Sequence, residues 1–151
     1  MAALLLPACG FSPALAPSAP AADIFGRVRV ADPANRFGFT FRNALTERIG
    51  HDEAGPLNLT WRASISRAAT AVDRRRVTTR RRLIGTLTYT LKDASGATLV
   101  EATERAFASY DALGSTVATG AALLDAEDRL AQMLADRVVM RIVALPAAAA
   151  P

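Results

Sequence analysis

The feature that most constrains this chain is a period of two, held over three successive stretches. Leu57, Leu59, Trp61, Ala63 and Ile65 alternate with Asn58, Thr60, Arg62, Ser64 and Ser66. Leu83, Gly85, Leu87, Tyr89 and Leu91 repeat the pattern, with Thr86, Thr88 and Thr90 between them. From Thr98 to Ser109, Val100, Ala102, Ala106 and Ala108 fall on one side, and Glu101, Thr103 and Arg105 on the other. Successive side chains of a strand point to opposite faces, so each stretch predicts a strand with one apolar and one polar face. Asp93-Ala94-Ser95-Gly96 supplies a hairpin turn between the last two. Short connections between consecutive strands imply antiparallel pairing.

An apolar sheet face has to be covered, and two stretches of helical period flank the strands. Asp32-Pro33 reads as an N-cap acceptor followed by proline at the first helical position. Phe37, Phe41, Ala44, Leu45 and Ile49 follow at helical spacing, Phe39 falls off that stripe, and Gly50 reads as the C-cap. Ala118 to Leu145 reads as one long helix with Leu123, Leu124, Leu130, Met133, Leu134, Val138, Ile142 and Leu145 along its apolar side. Asp125, Glu127 and Asp128 lie early in it and Arg137 and Arg141 late, the order that suits the helix dipole. Ile24 to Val30 adds a short first strand. The expected fold is therefore α+β: a two-layer sandwich of order β-α-β-β-β-α, with an antiparallel or mixed four-stranded sheet covered on one face by two helices.

Composition narrows the function. One cysteine, Cys9, allows no internal disulfide and no Cys-based zinc site, and one histidine, His51, gives poor support to a metal cluster or a Ser-His relay. His51, beside Asp52 and Glu53, reads as a surface loop residue. No carboxylate pair has a spacing suited to acid-base work, so no catalytic residue, metal or cofactor is assigned and the chain is not expected to be an enzyme. The net charge is +4 and, of 18 basic residues, only Lys92 is lysine. Such a balance permits anionic partners. Arg74, Arg75, Arg76, Arg80, Arg81 and Arg82 crowd the connection between the second and third strands. Guanidinium forks bind phosphate in bidentate fashion, so this run is the expected contact for a multivalent anion, though it also reads as a solvated hairpin tip or a contact with acidic protein residues.

The N-terminus points to a compartment. The apolar run Ala2 to Leu6 leads into Leu6-Pro7-Ala8-Cys9, which looks like a bacterial lipobox: apolar, variable, small, cysteine. Pro7 and the lack of an upstream Lys or Arg depart from that pattern, as a start assigned too late would explain. Acyl chains on Cys9 would each contribute about 0.8 kcal/mol per buried methylene and make the anchor effectively permanent. Gly10 to Ala22 is rich in Pro, Ala and Ser and reads as an extended tether. The expected division is a signal-peptide remnant over 1–8, a lipidated cysteine and tether over 9–22, a folded domain over 23–145, and a low-complexity tail over 146–151.

Four stretches in this order resemble the LPS-assembly lipoprotein family, LptE, of alphaproteobacterial type. They are Ala8-Cys9-Gly10-Phe11-Ser12-Pro13; Arg81-Arg82-Leu83-Ile84-Gly85-Thr86-Leu87-Thr88-Tyr89; Ser109-Tyr110-Asp111 through Gly114-Ser115-Thr116-Val117-Ala118-Thr119; and Ala126-Glu127-Asp128-Arg129-Leu130 through Leu134-Ala135-Asp136-Arg137-Val138. The resemblance spans nearly the whole chain. It implies a palmitate-bearing lipoprotein at the inner leaflet of the cell outer membrane, facing the periplasm. It further implies a plug for the LptD β-barrel that assists its assembly and binds lipopolysaccharide in transit. The Arg74–Arg82 run would then meet lipopolysaccharide. The competing readings are an outer-membrane lipoprotein scaffold with another partner, and a basic nucleic-acid-binding module. The latter is disfavoured because aromatics do not interleave the arginines.

Overall fold

A computed structural model of the chain describes residues 24–72, 78–112 and 115–145. The elements run β1 (Val28–Val30), α1 (Arg36–Ile49), β2 (Leu57–Val72), β3 (Thr78–Lys92), β4 (Thr98–Asp111) and α2 (Thr116–Val143). One four-stranded sheet has the order β1-β2-β3-β4. β2, β3 and β4 form an antiparallel meander, while β1 pairs with β2 in parallel, Val28 beside Leu57 and Val30 beside Leu59. A parallel neighbour needs a crossover, and α1 supplies it. The sheet is thus mixed, and both helices lie on one face of it: α2 packs on β4 and β3, and α1 packs on α2 and β1.

The period-two stretches fold as strands because their apolar sides meet the helical stripes. Leu57, Leu59, Leu83, Leu87, Tyr89, Leu91, Val100, Ala106 and Ala108 are buried from the sheet. Phe37, Phe41, Ala44, Leu45 and Ile49 come from α1. Ala126, Leu130, Leu134, Val138 and Ile142 come from α2. Each large side chain moved from water into this layer contributes about 1.5–3 kcal/mol. Gly85 interrupts the β3 stripe for a steric reason: a Cβ there would lie 3.0 Å from Leu134 and 3.1 Å from Leu130. Its absence lets α2 settle directly on the sheet.

Several boundaries differ from the sequence reading. The first strand shortens to Val28–Val30, and Ile24 to Gly26 form a turn whose Gly26 N–H donates to the Ile49 carbonyl at 2.7 Å. Helix α1 begins three residues later than the Asp32-Pro33 signal placed it. Asn35 is the N-cap, and its side-chain oxygen accepts from the Gly38 N–H at 2.9 Å, satisfying a donor that Asp32 does not reach. Gly50 does end the helix, at φ 77°, with its N–H on the Thr46 carbonyl. Ser115 caps α2, whose first residue, Thr116, lies two residues ahead of the expected start. Leu124 is exposed rather than part of the core stripe. The hairpin at Asp93 is as expected, with Asp93 N–H donating to the Ala97 carbonyl.

The largest change concerns the β2–β3 hairpin. Both strands run further than their apolar alternation, pairing as far as Ala71 with Arg80 and Val72 with Thr78. Arg80, Arg81 and Arg82 therefore sit in β3 and not in a connecting loop. Backbone pairing continues there because each arm supplies the other with ladder partners, whatever the side chains do. The expected segments 1–8 and 9–22 and the tail 146–151 lie outside the described residues.

Candidate functional site

The two helices cover one face of the sheet, and among the described residues no element covers the other. Its rows follow from the register. Arg62, Thr88 and Thr103 form one row, and Ser64, Thr86 and Arg105 the next. Ser66, Ile84 and Phe107 form the third, and Ala68, Arg82 and Ser109 the fourth. Arg80 and Asp111 close the described end, paired at 3.0 Å. Within this surface Ile84 is 37% exposed and Phe107 61%, the large apolar side chains of an otherwise polar face. Arg82 lies with its guanidinium 5.1 Å from the Phe107 ring centroid. That stacking covers the Arg82 Nε, which has no hydrogen-bond partner among the described residues. Arg105 and Arg62 have no ion-pair partner among the described residues.

A shallow cleft of about 170 Å³ is lined by Arg82, Ile84, Arg105, Ala106 and Phe107. Arginine brackets it along the strand direction. Arg82 and Arg105 stand two rows and one strand apart, about 14 Å between Cα atoms by strand spacing. An apolar step between two separated cations can take an amphiphile with two anionic groups better than a simple ion.

The structure thus divides the predicted arginine run. Arg80 and Arg82 point to the open face, the first paired with Asp111 and the second stacked on Phe107. Arg81, one residue out of phase, belongs to the opposite face. Arg74, Arg75 and Arg76, like Cys9, lie outside the described residues. Arg62, Arg105, Ile84 and Phe107 were not singled out from the sequence. Their outward parity was readable, but only the cross-strand register brings Phe107 beside Ile84 and under Arg82.

Two further polar groups sit away from this face. Glu104 lies on the covered side of β4 and is only 9% exposed. It accepts from the Arg141 Nε and Nη2 at 3.3 Å each. Burial, reinforced by the Glu104 charge, pushes the nearby Tyr89 hydroxyl up to about 12. His51 is half-buried rather than a plain surface residue. Its Nδ1 faces the Val30 N–H at 3.5 Å, and its Nε2 meets Glu53 at 2.9 Å and Arg42 at 3.2 Å. The hydrogen bond from His51, aided by its charge, holds the Glu53 carboxyl below the usual carboxylate range. This cluster joins the loop after α1 to β1. No group of three or more His, Cys, Asp or Glu among the described residues could hold a metal ion. No described helix is long and apolar enough to cross a membrane, which leaves β-barrels aside.

The fold and face define a class: an α+β sandwich domain with one sheet face under helices and the other bare and arginine-bearing. The chain belongs to the LptE family, described as Lipopolysaccharide-assembly, whose profile matches residues 25–142. Solved structures share the fold. A lipoprotein structure from Caulobacter crescentus CB15 superposes with a TM-score of 0.65 at 21% identity, covering 82% of this chain and 92% of that one. Rare lipoprotein B from Shewanella oneidensis gives 0.59 at 12% identity, covering 76% and 90%. Lipoprotein B from Nitrosomonas europaea gives 0.60 at 15% identity, covering 80% and 83%. No match is found among curated protein sequences.

Proposed function

We propose that this protein is a lipid-anchored component of lipopolysaccharide assembly that plugs an LptD-like outer-membrane β-barrel, assists its assembly and contacts lipopolysaccharide in transit. It catalyses no reaction and uses no cofactor. In this reading residues 1–8 remain from a signal peptide, Cys9 carries the acyl chains, and residues 9–22 tether the domain to the inner leaflet of the outer membrane. The domain over 23–145 then faces the periplasm.

The observation that carries the ligand half of this reading is the open sheet face. Lipopolysaccharide is an amphiphile with separated phosphates. Arg82 and Arg105, bracketing Ile84 and Phe107, offer charge-assisted hydrogen bonds on both sides of an apolar step. Arg74, Arg75 and Arg76 extend the cationic stretch toward the hairpin tip in sequence. The family membership supports the barrel half.

Depletion in cells tests the whole. A large outer-membrane barrel should co-purify with the protein, and its loss should trap lipopolysaccharide in the periplasm. Normal surface lipopolysaccharide after depletion, with no barrel recovered, would overturn the proposal. Palmitate labelling lost in Cys9→Ser tests the anchor. Replacing Arg82 or Arg105 by serine should weaken lipopolysaccharide binding about tenfold each, at the level of one charge-assisted hydrogen bond. Equal binding by both variants, and by a variant with all of Arg74, Arg75, Arg76, Arg80, Arg81 and Arg82 changed, would move the ligand elsewhere.

A further inference from the structure

The sheet is lopsided. β1 has 3 residues, yet the β2 strand it borders has 16. Beyond Leu59, β2 has no neighbour on that side among the described residues. The chain leaves β1 at Ala31, where the Trp61 indole N–H caps the Ala31 carbonyl at 3.1 Å, and turns away into α1. The parity of the vacant edge can be read directly. Leu57 N–H donates to Arg27, and the Leu59 carbonyl accepts from Ala31. Odd residues of β2 therefore turn their backbone groups toward the β1 side, and the same alternation aims those of Ala63, Ile65 and Arg67 at open space.

The side chains agree. On the covered face Trp61, Ala63 and Ile65 stay only half-buried, with no fifth strand beside them among the described residues. With Asn35 and Phe37 from the start of α1 they line a groove of about 370 Å³. Between Arg62 and Arg67 the edge is unguarded: Ala63 to Ser66 holds no proline and no charge. The other outer edge, β4, is guarded by Glu101, Glu104, Arg105 and Asp111. Charge selects the occupant. β2 carries Arg62 and Arg67 and no acidic residue. Arg67 is committed to Glu127 at 3.4 Å, whereas Arg62 has no ion-pair partner among the described residues. Asp32, at the groove's end, is held 3.7 Å from Arg42.

We infer that the free edge of β2 from Trp61 to Arg67 accepts an extended, acidic strand of another polypeptide, laid where β1 would continue. Its small apolar side chains enter the groove beside Ala63 and Ile65, and its carboxylates on the open face meet Arg62. Main-chain bonds to Ala63, Ile65 and Arg67 supply most of the affinity, as in other strand additions. This inference does not rest on lipopolysaccharide binding, which uses the face around Phe107.

The test uses the full chain and a nine-residue peptide alternating glutamate with valine and threonine, read by amide hydrogen exchange. The peptide should slow exchange at Ala63, Ile65 and Arg67 by at least about tenfold, since each gains a partner. Proline at the peptide's centre should abolish the effect. Arg62→Ser should weaken binding about threefold, with Trp61 fluorescence reporting that the fold is intact. Protection confined to β4, equal protection by a lysine-for-glutamate peptide, or no protection at these amides would overturn the inference. So would protection that rises with protein concentration without peptide, which would mean that the edge pairs with a second copy.

Discussion

Arg141 of α2 reaches across the layer to Glu104 of β4 and holds its buried carboxylate with two N–H donors at 3.3 Å. The Glu104 side chain is 11% exposed and that of Arg141 57%. The pair therefore ties the C-terminal half of α2 to the outermost strand with one partner still wet. Arg141→Ala should cost about 1–3 kcal/mol, because it strands a carboxylate under the helix. Glu104→Gln, which keeps an acceptor, should cost less. Urea denaturation midpoints check both, and equal stability in Arg141→Ala would mean that water satisfies Glu104 unaided.

Tyr89 gives a prediction at high pH. Its hydroxyl is buried, and burial first, then the Glu104 charge, raises its ionisation from 10.0 to about 12. The unfolded chain loses that proton at the lower value. Stability from this group is thus fully present below pH 10.0 and disappears as pH rises toward about 12. Ultraviolet tyrosinate titration should show one residue ionising late, coincident with unfolding. In Tyr89→Phe the late step should vanish.

Gly85 predicts an overpacking penalty. A Cβ at this position meets Leu134 at 3.0 Å and Leu130 at 3.1 Å, and both leucines are fully buried. Gly85→Val should destabilise by about 1–3 kcal/mol, and the cost should shrink when Leu130 is shortened to alanine in the same chain. A double-mutant cycle read by thermal melting would reveal that coupling, and additive effects would contradict the contact.

Helix capping can be checked independently at two places. Asn35 accepts from Gly38 N–H at 2.9 Å and Ser115 from Ala118 N–H at 3.2 Å. Replacing either by alanine should cost about 1 kcal/mol. Asp32→Ala should cost less than Asn35→Ala, which distinguishes the observed start of α1 from the start implied by Asp32-Pro33.

At the Asp93 hairpin, the Ser95 hydroxyl donates to Asp93 at 2.6 Å, and the backbone N–H groups of Ser95 and Ala97 add their bonds. The Asp93 carboxyl is held below its ordinary value of 3.8, first by Ser95. The turn is therefore strongest above that pH and loosens as pH falls through the lowered value. A carboxyl titration by NMR should place Asp93 below 3.8, and Ser95→Ala should bring it back. An unchanged midpoint in Ser95→Ala would assign the shift to the backbone donors.

Much of the sandwich was legible in the residues. The inward parity at Leu83, Leu87 and Leu91 and the helical stripe at Phe37, Phe41, Leu45 and Ile49 are local repeats, and they are buried as read. Glu104 shares parity with Val100 and Ala106, so its inward position was equally available, but its partner Arg141 stands 37 residues away and no local pattern points to it. Arg80, Arg81 and Arg82 looked like loop residues because charge breaks the apolar alternation, whereas strand pairing rests on backbone groups that charge does not remove.

What the sequence by itself determined is the set of amphipathic faces: three strands of period two and two helices with apolar stripes, which can bury those faces only as layers. Tertiary structure decided what those layers leave exposed. Cross-strand register set Arg82 over Phe107 and Ile84 beside it, and the mismatch in length between β1 and β2 left an edge without a partner among the described residues. Periodicity fixes which way a side chain points, because that is a property of the local backbone. Which neighbour it meets depends on pairing between residues far apart in the chain, and that is settled only when the sheet closes its ladders.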